Sequence, residues 1–328
     1  MMKDLEKGEI YEAIQILDLG KDQARKFLIS LFPQRELKEW VRFASISFLG
    51  LGLALFSSGI VFFFAYNWAG MHRFSKLGLI SCSLAVAVGV YLLGKSESYS
   101  RQALLILASV LVGVLLAVYG QIYQTGANAV DLFLGWTFLS LGFVIAGNSP
   151  PLWFLWILLS NITVELYQKQ VLFRDESPYS YSFALLFNAA AVFLYERENR
   201  KNDSKEIAGW FPNTVGFLTY YFATFGSIFS IFRDVKEEGD LLMVCLSLAT
   251  LSIGYFVYRY KIRRLGILAL SLLSAITLVF SVFVRVFDWN DFALPFLFGG
   301  IALTTVTAWS ARHLMQIRNE WKKGERVG

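Results

Sequence analysis

The chain is divided into apolar blocks of about 17 to 24 residues, the length at which a helix rising 1.5 Å per residue crosses the roughly 30 Å hydrocarbon layer of a membrane. Set between charged or turn-forming breaks, the blocks fall at 43–66, 77–94, 102–120, 130–146, 151–168, 180–196, 210–232, 241–258, 265–284 and 292–311. Ten such segments predict an all-α polytopic transmembrane helical bundle of about ten spans. Composition agrees: 56% of the 328 residues are hydrophobic and the mean hydropathy is +0.51, against roughly 45–50% apolar residues in an ordinary soluble domain.

The first block begins at Phe43, behind a charged segment, which is unlike the short hydrophobic region of a cleavable signal peptide. It reads as an uncleaved first span. Residues 1–42 form a cytoplasmic prefix with amphipathic helices predicted over 5–17 and 22–32, separated by Gly20 and ended before Pro33. Such a piece is too small to hold a core of its own, so it is expected to pack on the membrane domain or on a protein partner. Beyond it the spans divide into an N-terminal membrane region, 43–168, and a C-terminal one, 169–311, followed by a basic cytoplasmic tail, 312–328, with Trp321 at the interface.

Charge gives an orientation that hydropathy does not. With the N-terminus inside, the inner segments hold 23 of the 30 basic residues, and the outer ones hold Arg73, Lys76, Lys169, Arg174, Arg233, Lys236 and Arg285. Cytoplasmic loops carry the Lys and Arg excess, so the asymmetry supports an even number of spans with both termini cytoplasmic. The net charge of +5 is accounted for in this way, without nucleic acid as a partner.

Two stretches keep polar residues where a span should be ending. One is FFFAYNWAGMHRFSK at 62–76 and the other YGQIYQTGANAVDLFLGW at 119–136. Both lie at the outer face in this topology. Their AYNW segment with its following basic residues, and the GQIYQTGA run leading into LFLGW, resemble the DUF2157 family of bacterial integral membrane proteins. The resemblance covers roughly residues 1 to 150. It implies a multi-pass protein of a bacterial cytoplasmic membrane and brings no established activity with it.

Polar groups beside hydrocarbon must find partners, since each one left unsatisfied costs several kcal/mol. Asn67, His72, Arg73, Lys76, Gln121, Tyr123, Gln124, Thr125, Asn128 and Asp131 are therefore the candidate site, an outer polar vestibule. Two arrangements remain open: a small pocket at the mouth of the bundle, or a capped helix-loop-helix satisfied by its own amides. Arg73 and Lys76 break the positive-inside pattern and call for an anion, with Asp131 the first choice. Arg285, Asp288 and Asp291 form a second outer charged loop that could line the same vestibule.

Other features bound the function. Cys82 and Cys245 sit in apolar segments without metal-ligand or disulfide spacing and are expected to be small core residues. Trp68, Trp136, Trp153, Trp210, Trp289 and Trp309 fall near span ends, as interfacial anchors do. Ser109, Gly113 and Ala117 recur every four residues, a face that lets a neighbouring helix approach closely. The segments 77–94 and 241–258 echo each other weakly, as parallel repeats six spans apart would. There is no HExxH, no phosphate-binding glycine loop and no GxSxG elbow, and acidic residues deep within spans are missing. Neither catalysis nor a cofactor is expected. The first functional reading is a structural or regulatory membrane component. The alternative is a transporter or lipid-handling protein whose outer vestibule takes a small polar or amphiphilic ligand, and membrane lipids surround the bundle in either case.

Overall fold

The computed structural model describes residues 37–67, 70–94, 99–172, 177–201, 209–234, 238–286 and 293–327. The two prefix helices expected within 1–36, together with Trp68, Asp288, Trp289 and Asp291, lie outside the described residues. Ten long helices run through the rest: α1 Leu37–Asn67, α2 Arg73–Leu93, α3 Tyr99–Tyr123, α4 Ala129–Gly147, α5 Pro150–Gln170, α6 Pro178–Lys201, α7 Trp210–Phe232, α8 Glu238–Phe256, α9 Leu265–Val286 and α10 Ala293–Val327. Each coincides with one apolar block of the sequence. Seven are long and apolar enough to cross a membrane; α5, α6 and α10 are not among them.

Cross-helix contacts fix an alternating order. The Tyr91 hydroxyl donates to the carbonyl of Ala146, joining the last turns of α2 and α4. The Val130 N–H donates to Gln170 Oε1, joining the first turn of α4 to the last of α5. Arg264 at the entry to α9 meets Glu196 near the end of α6, and Arg285 in the last turn of α9 meets Asp234 just past α7. The turns after odd-numbered helices thus share one end of the bundle, the odd end. Those after even-numbered helices share the other, the even end.

Packing falls into two groups. In the first, α3 is the hub, with α1, α2, α4 and α5 around it; in the second, α7 is the hub, with α5, α6, α8 and α9 around it and α10 laid on α9. The hubs are accordingly the most enclosed spans: 50% of the apolar stretch of α7 and 44% of that of α3 is buried, against none of α1. The two groups join through α5, which touches α6 and α7 as well as α3. The echo between 77–94 and 241–258 falls on two helices that each pack on the next one in the chain. It corresponds to α2, which packs chiefly on α3, and to α8, which packs on α6, α7 and α9.

The Ser109 and Gly113 face of α3 does admit a close neighbour. A Cβ on Gly113 would lie 2.5 Å from Cδ2 of Trp136, so the indole of α4 rests directly on the glycine backbone. Its Nε1 donates to the carbonyl of Ser109 at 2.7 Å. Trp136 was expected as an interfacial anchor and is instead a packing residue between two spans, because the notch in α3 accepts its ring and offers its N–H a partner. The cysteines also depart from expectation: Cys82 and Cys245 are both exposed on the outside of the bundle. Lipid tails are as apolar as a protein core, so an apolar sequence context does not separate the two.

Candidate functional site

The polar run at the odd end is a connection that caps itself. Gln124 adopts a left-handed conformation (φ 44°) at the end of α3, and the Thr125 N–H reaches back to the carbonyl of Gly120 at 3.4 Å. This is a Schellman closure, which satisfies carbonyls that the last turn leaves open. Gly126, with φ 66°, turns the chain toward α4. There Asn128 is the N-cap, and its backbone N–H donates to Asp131 Oδ2 at 2.9 Å. A carboxylate three residues into a helix is also favoured by the N-terminal end of the helix dipole.

The ten predicted site residues all fall at the odd end, on the α1–α2 and α3–α4 connections. Gln121, Tyr123, Gln124, Thr125, Asn128 and Asp131 are all exposed, with the Tyr123 ring against that of Tyr119. His72 caps α2, its Nδ1 accepting from the Phe74 N–H, and the Arg73 guanidinium lies over the Phe74 ring. Lys76 is buried one turn on, and Asn67 ends α1, its side chain outside the described set. No ion pair joins Arg73 or Lys76 to Asp131 among the described residues. The reason is positional: α2 and α4 pack on α3, and the Asp131 carboxylate serves its own helix start. Arg285 likewise pairs with Asp234, at 3.1 Å, in the second helical group.

A cavity of about 750 Å³ lies at the even end, between α5, α6 and the start of α7. Its formation can be traced to local chemistry. The α4–α5 turn is set by Asn148 in a left-handed conformation (φ 36°) and by Pro150 in the first turn of α5, where its missing N–H is harmless. Trp153 and Trp156 then project from α5 with their N–H groups held on the α4 side: Trp153 Nε1 donates to Asn148 Oδ1 at 3.2 Å, and Trp156 Nε1 to the carbonyl of Thr137 at 3.1 Å. Facing them, α6 presents Ala190 and Ala191. Two large rings anchored to one neighbour and two methyl groups on the other leave the space between.

The walls change character with depth. Asn148, Pro150, Arg197, Glu198 and Asn199 line it nearest the even end, Ile157 and Phe187 farthest along α5 and α6, and Trp153, Trp156, Tyr195 and Phe211 the walls between. From Pro150 to Ile157 the cleft follows α5 for about 10 Å. Just beyond, Asn161 and Asn188 exchange amide hydrogen bonds at 3.2 and 2.9 Å. Their remaining N–H groups go to the carbonyls of Ile157 and Ala184. All four amide hydrogens are used, which is what allows an Asn with no exposed surface to sit mid-span. On the flank, Ala190 and Leu194 are exposed, so the cleft is open along α6 as well as toward the even end. Arg264 and the buried Glu196 pair at 2.5 Å close by.

Sequence reasoning passed over Asn161, Asn188 and the Glu196–Arg264 pair. The available signal was polarity in the wrong place: an Asn near the middle of each of two adjacent apolar blocks. Of the tryptophans near span ends, Trp153 lines this cleft, while Trp210 packs edge-on against Phe154 and Trp309 stacks on His313.

Ten long helices, seven of them apolar enough to span, with polar groups deep in the bundle paired to one another, define a polytopic α-helical integral membrane protein. Residues 21–153 match the family model described as "Predicted membrane protein (DUF2157)", so the resemblance carried by the AYNW and GQIYQTGA runs holds over that part of the chain. The matched stretch takes in α1 to α4 and the first residues of α5; the α6 and α7 walls of the cleft lie beyond it. No curated protein and no solved structure matches the chain.

Proposed function

We propose that this protein is a non-catalytic component of a bacterial cytoplasmic membrane that holds a membrane lipid in the cleft between α5 and α6. Of the two functional readings, the accessory role is kept, and ligand handling is moved from the odd-end loop to the even end. The observation that carries the reading is the graded lining of the cleft: indole and phenyl faces along its walls, charged and amide groups nearest the even end, and an opening along α6 at Ala190 and Leu194. Its volume falls within the roughly 300–1,000 Å³ of ordinary ligand sites. A freely soluble ligand has no use for an opening along the flank of the bundle; a lipid can enter that way with its headgroup at the interface.

A carrier would need broken helices or a hydrated path near mid-membrane. Here the Asn161–Asn188 pair lies below the cleft, and α5 and α6 run unbroken past it, which favours holding a lipid over moving one. The excess of basic residues on the even-end segments supports a cytoplasmic even end with both termini on that side. The prefix 1–42 is then the part available to a protein partner.

The test is Ala190→Trp, which fills the cleft from an exposed position and so leaves the rest of the bundle intact. Native mass spectrometry of the detergent-purified full chain should show a retained lipid on the wild type and its loss from the variant. Equal retention by a variant with unchanged thermal stability would refute the assignment.

A further inference from the structure

We infer that Arg101 and Ser149 form a second site at the even end, one that takes a phosphate group. It is separate from the cleft and does not rest on the reading of the cleft. Register brings the two side chains together. Leu105 of α3 and Leu152 of α5 meet at Gly147, where an added Cβ would lie 2.6 and 2.5 Å from their Cδ1 atoms. Arg101 is one turn nearer the even end on α3, and Ser149 comes three residues before Leu152 at the start of α5, so both stand where the α4–α5 turn meets the first turn of α3. The Arg101 guanidinium is held over the Tyr91 ring, 4.5 Å from its centre. That ring is fixed in turn by its hydroxyl, which donates to the carbonyl of Ala146, three residues before Ser149.

The local chemistry is positive and lacks an acceptor. Arg101 is half-buried, its Nε is enclosed without a hydrogen-bond partner, and it makes no ion pair among the described residues. Ser149 is the N-cap of α5 and 1% exposed. An N-cap hydroxyl ordinarily accepts from the second or third amide of its helix, but the second residue here is Pro151, which has no N–H, and the Ser149 Oγ is left without a partner. Helices α3 and α5 both begin at this place, each with the positive end of its dipole and neither with an acidic residue in its first turn. By contrast α4 opens on Asp131, and α8 on Glu238 and Asp240. A guanidinium, a buried hydroxyl with a proton to donate and two helix starts without a carboxylate suit an oxyanion. A guanidinium forks onto two oxygens of a phosphate through parallel N–H bonds, and a further oxygen is left for the Ser149 hydroxyl. The phosphate belongs either to a lipid headgroup or to free phosphate, which share this chemistry.

Native mass spectrometry of the full-length protein tests this, with Ala190→Trp in the background to keep the cleft out of the readout. Three probes are titrated: inorganic phosphate, phosphatidylglycerol, and diacylglycerol, which has acyl chains and no phosphate. Phosphatidylglycerol or inorganic phosphate should bind at least about tenfold more tightly than diacylglycerol; tighter binding of the phospholipid makes the headgroup the source, and binding of inorganic phosphate alone makes it a soluble anion. Arg101→Gln should weaken that binding about tenfold, and Ser149→Ala about threefold. Ser149→Ala removes a buried hydroxyl that has no partner, so thermal stability should stay equal or rise while binding falls, which a purely structural serine would not show. Diacylglycerol bound as tightly as both phosphate probes, or phosphate binding indifferent to Arg101→Gln and to Ser149→Ala, would overturn the site. The cleft is judged separately, by lipid retention in the wild type against Ala190→Trp.

Discussion

Gly113→Ala adds one methyl group to α3, and the sign of its effect depends on whether Trp136 is where the structure places it. On an open helix face the change should stabilise by about 1 kcal/mol, because Ala is the better helix former. At Gly113 the new Cβ would lie 2.5 Å from Cδ2 of the indole, well inside van der Waals contact. The ring is held by its N–H bond to the Ser109 carbonyl and cannot slide away without losing it. Overpacking costs about 1–3 kcal/mol and a lost hydrogen bond inside a membrane protein about 0.6 kcal/mol. Against the propensity gain of about 1 kcal/mol, a net destabilisation of about 1–2 kcal/mol is expected. Unfolding in mixed detergent–SDS micelles would measure it, with Gly142→Ala on α4 as the control, since a Cβ there meets nothing within 4 Å. The control should be neutral or stabilising. Adding Trp136→Leu should recover part of the loss, a coupling that a double-mutant cycle isolates. A Gly113→Ala protein as stable as the wild type, or more so, would refute the packing of α4 on α3 described above.

Two further perturbations address the seam between the helical groups and the charge pair near it. Asn188→Leu should destabilise by about 1 kcal/mol and Asn161→Leu similarly, with a coupling on the order of 0.6–1.7 kcal/mol between them, read from the same unfolding titration; strictly additive losses would mean that the two amides do not meet. Arg264→Met leaves the buried Glu196 carboxylate without its partner and should cost about 3 kcal/mol, near the low end for a broken buried pair because the arginine keeps some exposure. Glu196→Gln in that background should restore most of the loss in thermal stability, and failure to do so would place the effect of Arg264 elsewhere.

The fold was legible because length and apolarity determine spans, and little else is needed to place them. The seventh block was bounded at 210–232 in the sequence, and α7 runs over those residues. What apolar blocks do not encode is the rotation of each helix about its own axis. In water, the polar face of a helix reveals its buried face; in a bilayer, both faces are apolar and the signal vanishes. Cys82 and Cys245 illustrate it, being apolar in context and yet exposed. Small residues survive this limit, because a notch has a shape that lipid does not require: the Ser109 and Gly113 pattern foretold a close neighbour even though Trp136 was not named as that neighbour. The odd-end loop drew notice because its polarity is concentrated, but helix ends need donors and acceptors whatever the protein does, and Thr125, Asn128 and Asp131 meet that need. Asn161 and Asn188, one to a block and 27 residues apart, gave a fainter signal for a more constrained site.

That α5 and α6 fall outside the set of strongly apolar spans has the same cause as the cleft between them. Each hub helix draws its neighbours inward, α3 on one side and α7 on the other, so α5 and α6 meet where two separately packed groups abut. Fewer contacts hold them there, and the seam is closed in its middle by a fully satisfied amide pair and left open toward the even end by indoles anchored to α4. Polar residues tolerated for that closure lower the hydropathy of these two helices below that of their neighbours. Atoms lining a gap lack partners on one side and forfeit dispersion energy. A hydrocarbon chain inserted between the Trp153 and Trp156 rings and the methyl groups of Ala190 and Ala191 supplies those partners without disturbing either hub. The seam is therefore the place in this bundle where an inserted chain would displace the least protein packing.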